Sequence, residues 1–483
     1  MRVALMKQAG PPSYALSSWL SLRLLGLCYL AAFWSFGTQV RGLIGSHGIL
    51  PARDVMEAAG RSAAAGGLAI SRWFDVPTIF WLGSSDAWLV GVCIAGALLS
   101  LLLVTGVMAP VTLPLLWFLY LSLTVVTREF LSFQWDSLLL EAGLLAIGLA
   151  PWVRFHTPRG SEPPALARWL FWWLAFRLMF AAGLVKLTSG EPLWRDLTAL
   201  AYHYETQPLP TPAGWYAHHL PLIVHQASAV VTFVIELVVP WLIFAGVRGR
   251  RVAAASFGGL MAAIAVTGNY AFFNLLTVAV SVTLWDTPGP APRPRPFAWA
   301  PAAALAVLTL PASVAVLAGQ TGLPLPAAPL FTAWQRTLAP FRSVNPYGLF
   351  AVMSSARPEL TIEGSLDGLA WRPYAFAYKP GDPRRAPRWV APHQPRLDWH
   401  MWFAALDLYE ASPWLERFCR RLLEGEPSVA RLLAANPFPA GPPRFIRVTS
   451  ARYRIPPLDV ARREGIWWTV GPAEPFSPVL ARR

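Results

Sequence analysis

The stretch ALARWLFWWLAFRLMFAAGLVKLT, residues 165–188, decides the architecture: it is long and apolar enough to cross a bilayer, yet it carries Arg168, Arg177 and Lys186. A hydrocarbon core of roughly 30 Å needs about 20 apolar residues as helix, so the run reads as a membrane span. The rest of the chain agrees, with 55% hydrophobic and 14% charged residues among 483, whereas soluble domains carry about 25% charged residues. Apolar runs at 15–37, 87–108, 110–127, 136–152, 165–188, 222–246, 251–268, 270–286 and 297–319 predict a multi-pass α-helical bundle of about nine spans. The junctions Met108-Ala109-Pro110 and Thr267-Gly268-Asn269 are so tight that the flanking spans must form antiparallel hairpins or broken helices.

The net charge of +14 raises nucleic acid as a partner. The cations are nearly all Arg, dispersed through loops and the C-terminal third without interleaved exposed aromatics, so nucleic-acid binding is not expected. Arg2, Lys7, Arg154, Arg159, Arg168, Arg248, Arg250, Arg251, Arg293 and Arg295 fall on one side, predicted to be cytoplasmic. The loops 38–86 and 189–221, and everything after about residue 320, then lie on the opposite face. Cys28, Cys93 and Cys419 show no metal or redox spacing, and no disulfide framework is expected. The first apolar run holds Arg23 and no clear cleavage site, as a retained span would.

Residues 1–320 are therefore read as the transmembrane domain and 341–483 as a C-terminal extracytoplasmic domain. In the latter, GLFAVMSS, ELTIEGS and RPYAFAYK alternate apolar residues between Gly, Asp and Pro, and RFIRVTSARYRI and GIWWTVG follow two helical stripes. The pattern predicts a β-rich, sandwich-like domain with a helical insertion.

Charges within spans are costly and face a partner or a wet cavity. Either Asp136 or Glu141 in the fourth span is expected to pair with Arg177 in the fifth, pinning the two helices; the alternative is a binding role in which Asp136, Glu141 and Arg177 line a cavity or its lid. Lys186 either snorkels to the interface or sits in a dry pocket, where a lysine loses its proton and serves as a base. The string YHYETQPLPTPAGWYAHHLP, 202–221, reads as a lid over the bundle, its prolines favouring extended or turning backbone. Its His203 and Glu205 form an H-x-E fragment to which His218 and His219 could add ligands, although no complete metal set is assigned. In APHQPRLDWHMWFAALD, the residues Arg396, Asp398, Trp399 and His400 read as an exposed recognition patch for a protein client. There is no G-x-S-x-G and no phosphate loop, which removes hydrolase and kinase readings.

QWDSLLLEAGLLAIGLAP (134–151), FRLMFAAGLVKLTSGEPLWRDLTALAYHYETQPLPTPAGWYAHHLP (176–221), FRSVNPYGLFAVMSSARPE (341–359) and WVAPHQPRLDWHMWFAAL (389–406) resemble the lipase maturation factor family. That resemblance implies a membrane-embedded folding factor whose tail meets secreted lipases or other exported clients. Eukaryotic members sit in the endoplasmic reticulum membrane; the Ala, Pro and Arg bias here is that of a GC-rich bacterial genome, implying an inner membrane with the tail in the periplasm. A weaker likeness links GLVKL (183–187) and TGNYAFFN (267–274) to the membrane part of vitamin K-dependent carboxylases. It implies a second class, an enzyme with Lys186 as base on a quinol or lipid-like substrate, although Val185, Thr267 and Gly268 depart from that pattern. The enzyme reading requires Lys186, His203, Glu205 and Asn269 to converge on one apolar cavity. No cofactor is assigned beyond a lipid or quinone that such a cavity would admit.

Overall fold

The computed structural model describes residues 12–66, 71–289, 292–294, 297–326, 328–407 and 412–482. Arg2, Lys7 and Arg295, expected on the cytoplasmic side, lie outside them.

Six helices among the described residues are long and apolar enough to cross a membrane: Ala15–Gly37, Asp86–Thr105, Ala109–Leu131, Ala165–Thr188, Leu222–Phe244 and Trp299–Thr321. The other three expected spans are helical but differ in kind. Gln134–Leu149 has 16 residues, about 24 Å at the α-helical rise. Phe273–Leu284 is shorter still, and Gly246–Thr267 opens on Arg248, Arg250 and Arg251. The six long helices and these three shorter or more polar ones pack side by side, with Ala15–Gly37 against Asp86–Thr105 and Phe273–Ser281, and Ala109–Thr127 against Gln134–Leu149.

The two ends of the bundle are chemically distinct. At one, the Tyr14 amide donates to Glu162 at 2.7 Å, Arg168 lies 4.2 Å over the Tyr14 ring, Arg250 donates to the Tyr14 hydroxyl at 3.0 Å and Arg251 pairs with Asp286 at 2.7 Å. Pro12–Ser13 and Thr287–Pro288 pair there as two-residue strands, and the tight 106–108 turn hydrogen-bonds residues 154–156. At the other end the tail is seated. Ser35 and Gln39, at the exit of the first span, bond Gln394 and the Arg396 amide.

Long helices seldom stay regular where proline intervenes. In Leu222–Phe244, Pro240 cannot donate to the ladder and its ring crowds the preceding turn. Around it the helix widens to a π-turn at Val234–Val238 and tightens to 3₁₀ at Val239–Phe244. The π-turn carries Glu236, and such turns concentrate at functional sites. Gly183 of the adjacent span permits the contact: a Cβ there would stand 2.8 Å from the Glu236 Cβ.

The tail is built on one antiparallel five-stranded sheet rather than the two facing sheets expected. Trp371–Pro373, Arg357–Ser365, Phe445–Arg454 and Thr469–Pro475 lie side by side, with Leu480–Ala481 on the end of Phe445–Arg454. Ile362 faces Val448 in register, and both are buried. Helices take the place of a second sheet. Arg396–Leu406 packs on Arg357–Ser365, and Pro413–Glu424 buries Leu415, Phe418, Cys419 and Leu422, an i, i+3, i+4, i+7 stripe.

The apolar core runs without a break from spans to tail: Leu397 and Trp399 belong to the same cluster as Phe133, Trp135 and Tyr120. The loop 38–86 joins it through Val40–Ile44, where Gly42 lets the Ser428 carbonyl approach so closely that a Cβ would stand 2.5 Å away.

Candidate functional site

Beneath the loop 189–221, at the tail end of the bundle, lies an apolar cavity of about 580 Å³. Ala165–Thr188, Leu222–Phe244, Gly246–Thr267 and Phe273–Leu284 wall it, while Trp194, Leu200 and Phe350 close over it. Its polar groups are few. Lys186 donates to both oxygens of Glu236 at 2.9 and 2.8 Å and to the Ala182 carbonyl at 3.1 Å, and its ammonium stands 5.4 Å over the Trp194 ring. His203 Nε2 meets the Tyr270 hydroxyl at 3.0 Å, and that hydroxyl meets Gln207 Oε1 at 3.0 Å. Burial and the nearby Lys186 charge hold His203 down at about 4, so its imidazole is neutral at pH 7.

Lys186 therefore does not snorkel. It is buried and neutralised by Glu236 across two spans, a carboxylate visible in sequence only as one more charge in the sixth span. The pair is geometrically good, as a buried ion pair must be to offset its desolvation.

Of the four groups required by the enzyme reading, Lys186 and His203 line the cavity; Glu205 and Asn269 do not. Glu205 accepts the Ile455 amide at 2.8 Å, and burial raises its carboxyl above the usual range, opposed by that amide and by Arg357. Asn269 is consumed as a staple. Its amide donates to Leu209, Pro210 and Arg388 carbonyls at 3.1, 3.4 and 2.8 Å, and its oxygen accepts the Val390 and Ala391 amides at 2.7 and 3.1 Å.

The lid string is more ordered than its prolines suggested. Ala199–Thr206 and Pro212–Ala217 are short helices. Pro212 occupies the first turn, where its missing N–H costs nothing, and Thr211 caps that turn by accepting the Gly214 amide at 2.9 Å. Arg357, from the tail, donates to the carbonyls of Glu205 and Pro208 at 2.8 and 2.9 Å and pairs with Glu359 at 2.7 Å. Lys379 meets the same Glu359 at 2.8 Å. Sequence reading passed over this Arg357, Glu359 and Lys379 cluster, because charges in a predicted soluble domain carry no cost until burial is known. Among the described residues no three His, Cys, Asp or Glu gather as a metal would require.

Expected pinning of the fourth and fifth spans is present in Glu141, which pairs with Arg177 and also accepts the Tyr347 hydroxyl at 2.6 Å and the Asn345 amide at 3.0 Å. Asp136 pairs with Arg396 of the tail instead, at 2.6 Å. That assignment overturns the exposed client patch. Arg396, Asp398, Trp399 and His400 are 1%, 2%, 3% and 7% exposed; Arg396, Trp399 and His400 turn inward against Asp136, Trp135 and Phe130 of the membrane part, and Asp398 turns into the tail. Asp398 accepts the Tyr378 and Lys379 amides, both at 2.8 Å, and burial raises its carboxyl against those bonds. Trp399 packs edge-on to Trp135 at 4.9 Å, and His400 stacks on Phe130 at 4.8 Å. An Arg, Asp and aromatic cluster in a predicted surface segment proves to be the socket by which the tail docks.

Comparison with known proteins gives concordant results. Residues 16–288 match the family described as "Lipase maturation factor transmembrane domain", and residues 343–478 match "Lipase maturation factor C-terminal domain". The chain is 36% identical to "Lipase maturation factor 2" of Homo sapiens, over 94% of this chain and 81% of the relative. It is 34% identical to "Lipase maturation factor 1" of Bos taurus, over 96% and 88%. No solved structure matches.

Proposed function

The chain belongs to the lipase maturation factor family, and from that premise we propose that it is a membrane-embedded factor that brings exported, lipase-like proteins to their active fold. The observation that carries this reading is the match to both family segments in order, membrane part and tail, at over a third identity to a named maturation factor along 94% of the chain. In this reading the arginine-rich short loops face the cytoplasm, and the tail, seated at the opposite end of the bundle by Ser35, Gln39 and Asp136, faces the secretory side. With the composition noted above, that side is the periplasm of a bacterial inner membrane. Tail and spans act as one rigid body, supported by the continuous core and by the Asp136 and Arg396 pair. Base catalysis by Lys186 is not favoured, because the lysine is held by Glu236 and two of its three required partners, Glu205 and Asn269, are engaged elsewhere.

The experiment is co-expression with a secreted lipase, with and without the chain, reading lipase activity per unit of secreted protein. Specific activity should rise with the chain present while secreted mass changes little; equal specific activity in both arms overturns the reading. Alkaline phosphatase fused after residue 483 should be active on the proposed topology and inactive if the tail is cytoplasmic.

A further inference from the structure

The cavity at Lys186 is not closed on its membrane side. Ile223 and Val231 line it while remaining 69% and 54% exposed, and their helix buries only 28% of its most apolar window. In a bilayer those exposed faces meet acyl chains, so whatever enters between Leu222–Phe244 and Gly246–Thr267 comes from the hydrocarbon phase. The volume of about 580 Å³ lies in the range that holds a drug-sized ligand, and a few convergent polar groups in an apolar wall are what orient one.

The polar end is electrically neutral. Lys186 and Glu236 cancel, and His203 is uncharged. An anionic head would have to displace Glu236 from Lys186 and leave a carboxylate buried without a partner, a costly exchange. Hydrogen-bond roles refine the choice. Gln207 Nε2 donates to the Thr267 carbonyl at 2.9 Å, which fixes its oxygen as an acceptor. The single Tyr270 proton then goes to Gln207 Oε1, and the Tyr270 oxygen accepts from His203 Nε2–H. His203 Nδ1 is left as an acceptor, and it has no protein partner among the described residues. A hydroxyl group satisfies it.

We propose that this cavity binds an uncharged, single-chain bilayer lipid with a hydroxyl head, the head at His203 beside the Lys186 and Glu236 pair and the chain among Leu178, Leu260 and Ile264. The site stands independently of client maturation, and its test reads binding alone.

The full chain in phosphatidylcholine nanodiscs would be irradiated with a diazirine-tagged monoacylglycerol and, in parallel, with diazirine-tagged fatty acid and phosphatidylcholine. Adducts would be mapped by mass spectrometry. The monoacylglycerol should label the peptides of 222–244 and 246–267, and Ala227→Trp, which fills the cavity from its exposed side, should cut that labelling about tenfold. Val231→Trp is the second filling variant. His203→Leu should also lower it, with the melting temperature retained, while adducts on Asp86–Thr105, a lipid-facing helix far from the cavity, stay constant. Equal labelling by all three probes, or labelling indifferent to Ala227→Trp and Val231→Trp, overturns the site. Labelling blocked by both tryptophans but unchanged in His203→Leu overturns the head assignment, and with it the proposal.

Discussion

Arg396 grips Asp136 with both terminal nitrogens, at 2.6 and 2.8 Å, across 260 residues of sequence. One residue lies in the tail, the other at the start of a bundle helix, and both side chains are 1% exposed. The Tyr120 hydroxyl completes the carboxylate at 2.5 Å. Fork-to-fork geometry is the strongest arrangement an ion pair attains, and here it ties the tail to the membrane part.

Breaking one side of that pair strands a buried charge, at a cost of about 3–5 kcal/mol. Arg396→Met is therefore expected to lower the melting temperature of the detergent-solubilised protein strongly. The double change Arg396→Met with Asp136→Leu should recover much of the loss, because no charge is then left unpaired. If the double variant is as unstable as the sum of two single ones, the coupling is absent.

The Lys186 and Glu236 pair obeys the same logic between two spans. Lys186→Met should destabilise by roughly 3–5 kcal/mol, and adding Glu236→Leu should restore part of it. Gly183→Ala offers an independent check on the helix contact: its new methyl would press on the Glu236 and Leu237 side chains, and overpacking of this kind costs about 1–3 kcal/mol. A Gly183→Ala protein that melts with the parent would show that the two spans are looser than described.

His400 sets a pH dependence. Burial lowers it to about 3, with the Arg396 charge acting the same way and the Glu129 backbone opposing. An unfolded histidine titrates near 6.5, so between about pH 6.5 and 3 the unfolded chain binds a proton that the folded one refuses. Stability from this group is complete above 6.5 and falls as acid is added, by up to about 1.4 kcal/mol per pH unit. Glu205 and Asp398, whose carboxyls are raised, push the other way over their own range. The measurement is thus comparative. His400→Phe keeps the stack on Phe130 and the tilted ring contact with Phe133 and should melt with a shallower acid slope than the parent; parallel slopes would contradict the assignment.

Asn269 holds the lid string, the 267–269 junction and the tail at one point. Asn269→Ala removes acceptors from the Val390 and Ala391 amides, and a buried donor left unmet costs about 1–3 kcal/mol. Hydrogen exchange at those two amides should accelerate well beyond that of the sheet amides of Thr361 and Val448. Unchanged protection there would mean that other groups hold the segment.

Much of this was legible in the chain itself. Apolar runs of bilayer length announce membrane helices whatever their neighbours, because leaving water is a local property of composition. Charges inside those runs announce partners for the same reason, and the balance of charge offers Arg177 either Asp136 or Glu141; the fold gives it Glu141. Which partner each charge takes was decided only by packing. Asp136 was equally compatible with Arg177, yet the tail brings Arg396 to it. Lys186 looked free to reach the interface until the π-turn at Val234–Val238 turned Glu236 toward it. Arg396, Asp398, Trp399 and His400 have the composition of a surface, and nothing local reveals that a helix from 260 residues upstream covers them. The cavity is likewise a space between four helices and a loop, and empty volume has no sequence. Local free energies are written residue by residue; burial, pairing and void depend on contacts between distant elements, which the fold alone brings together.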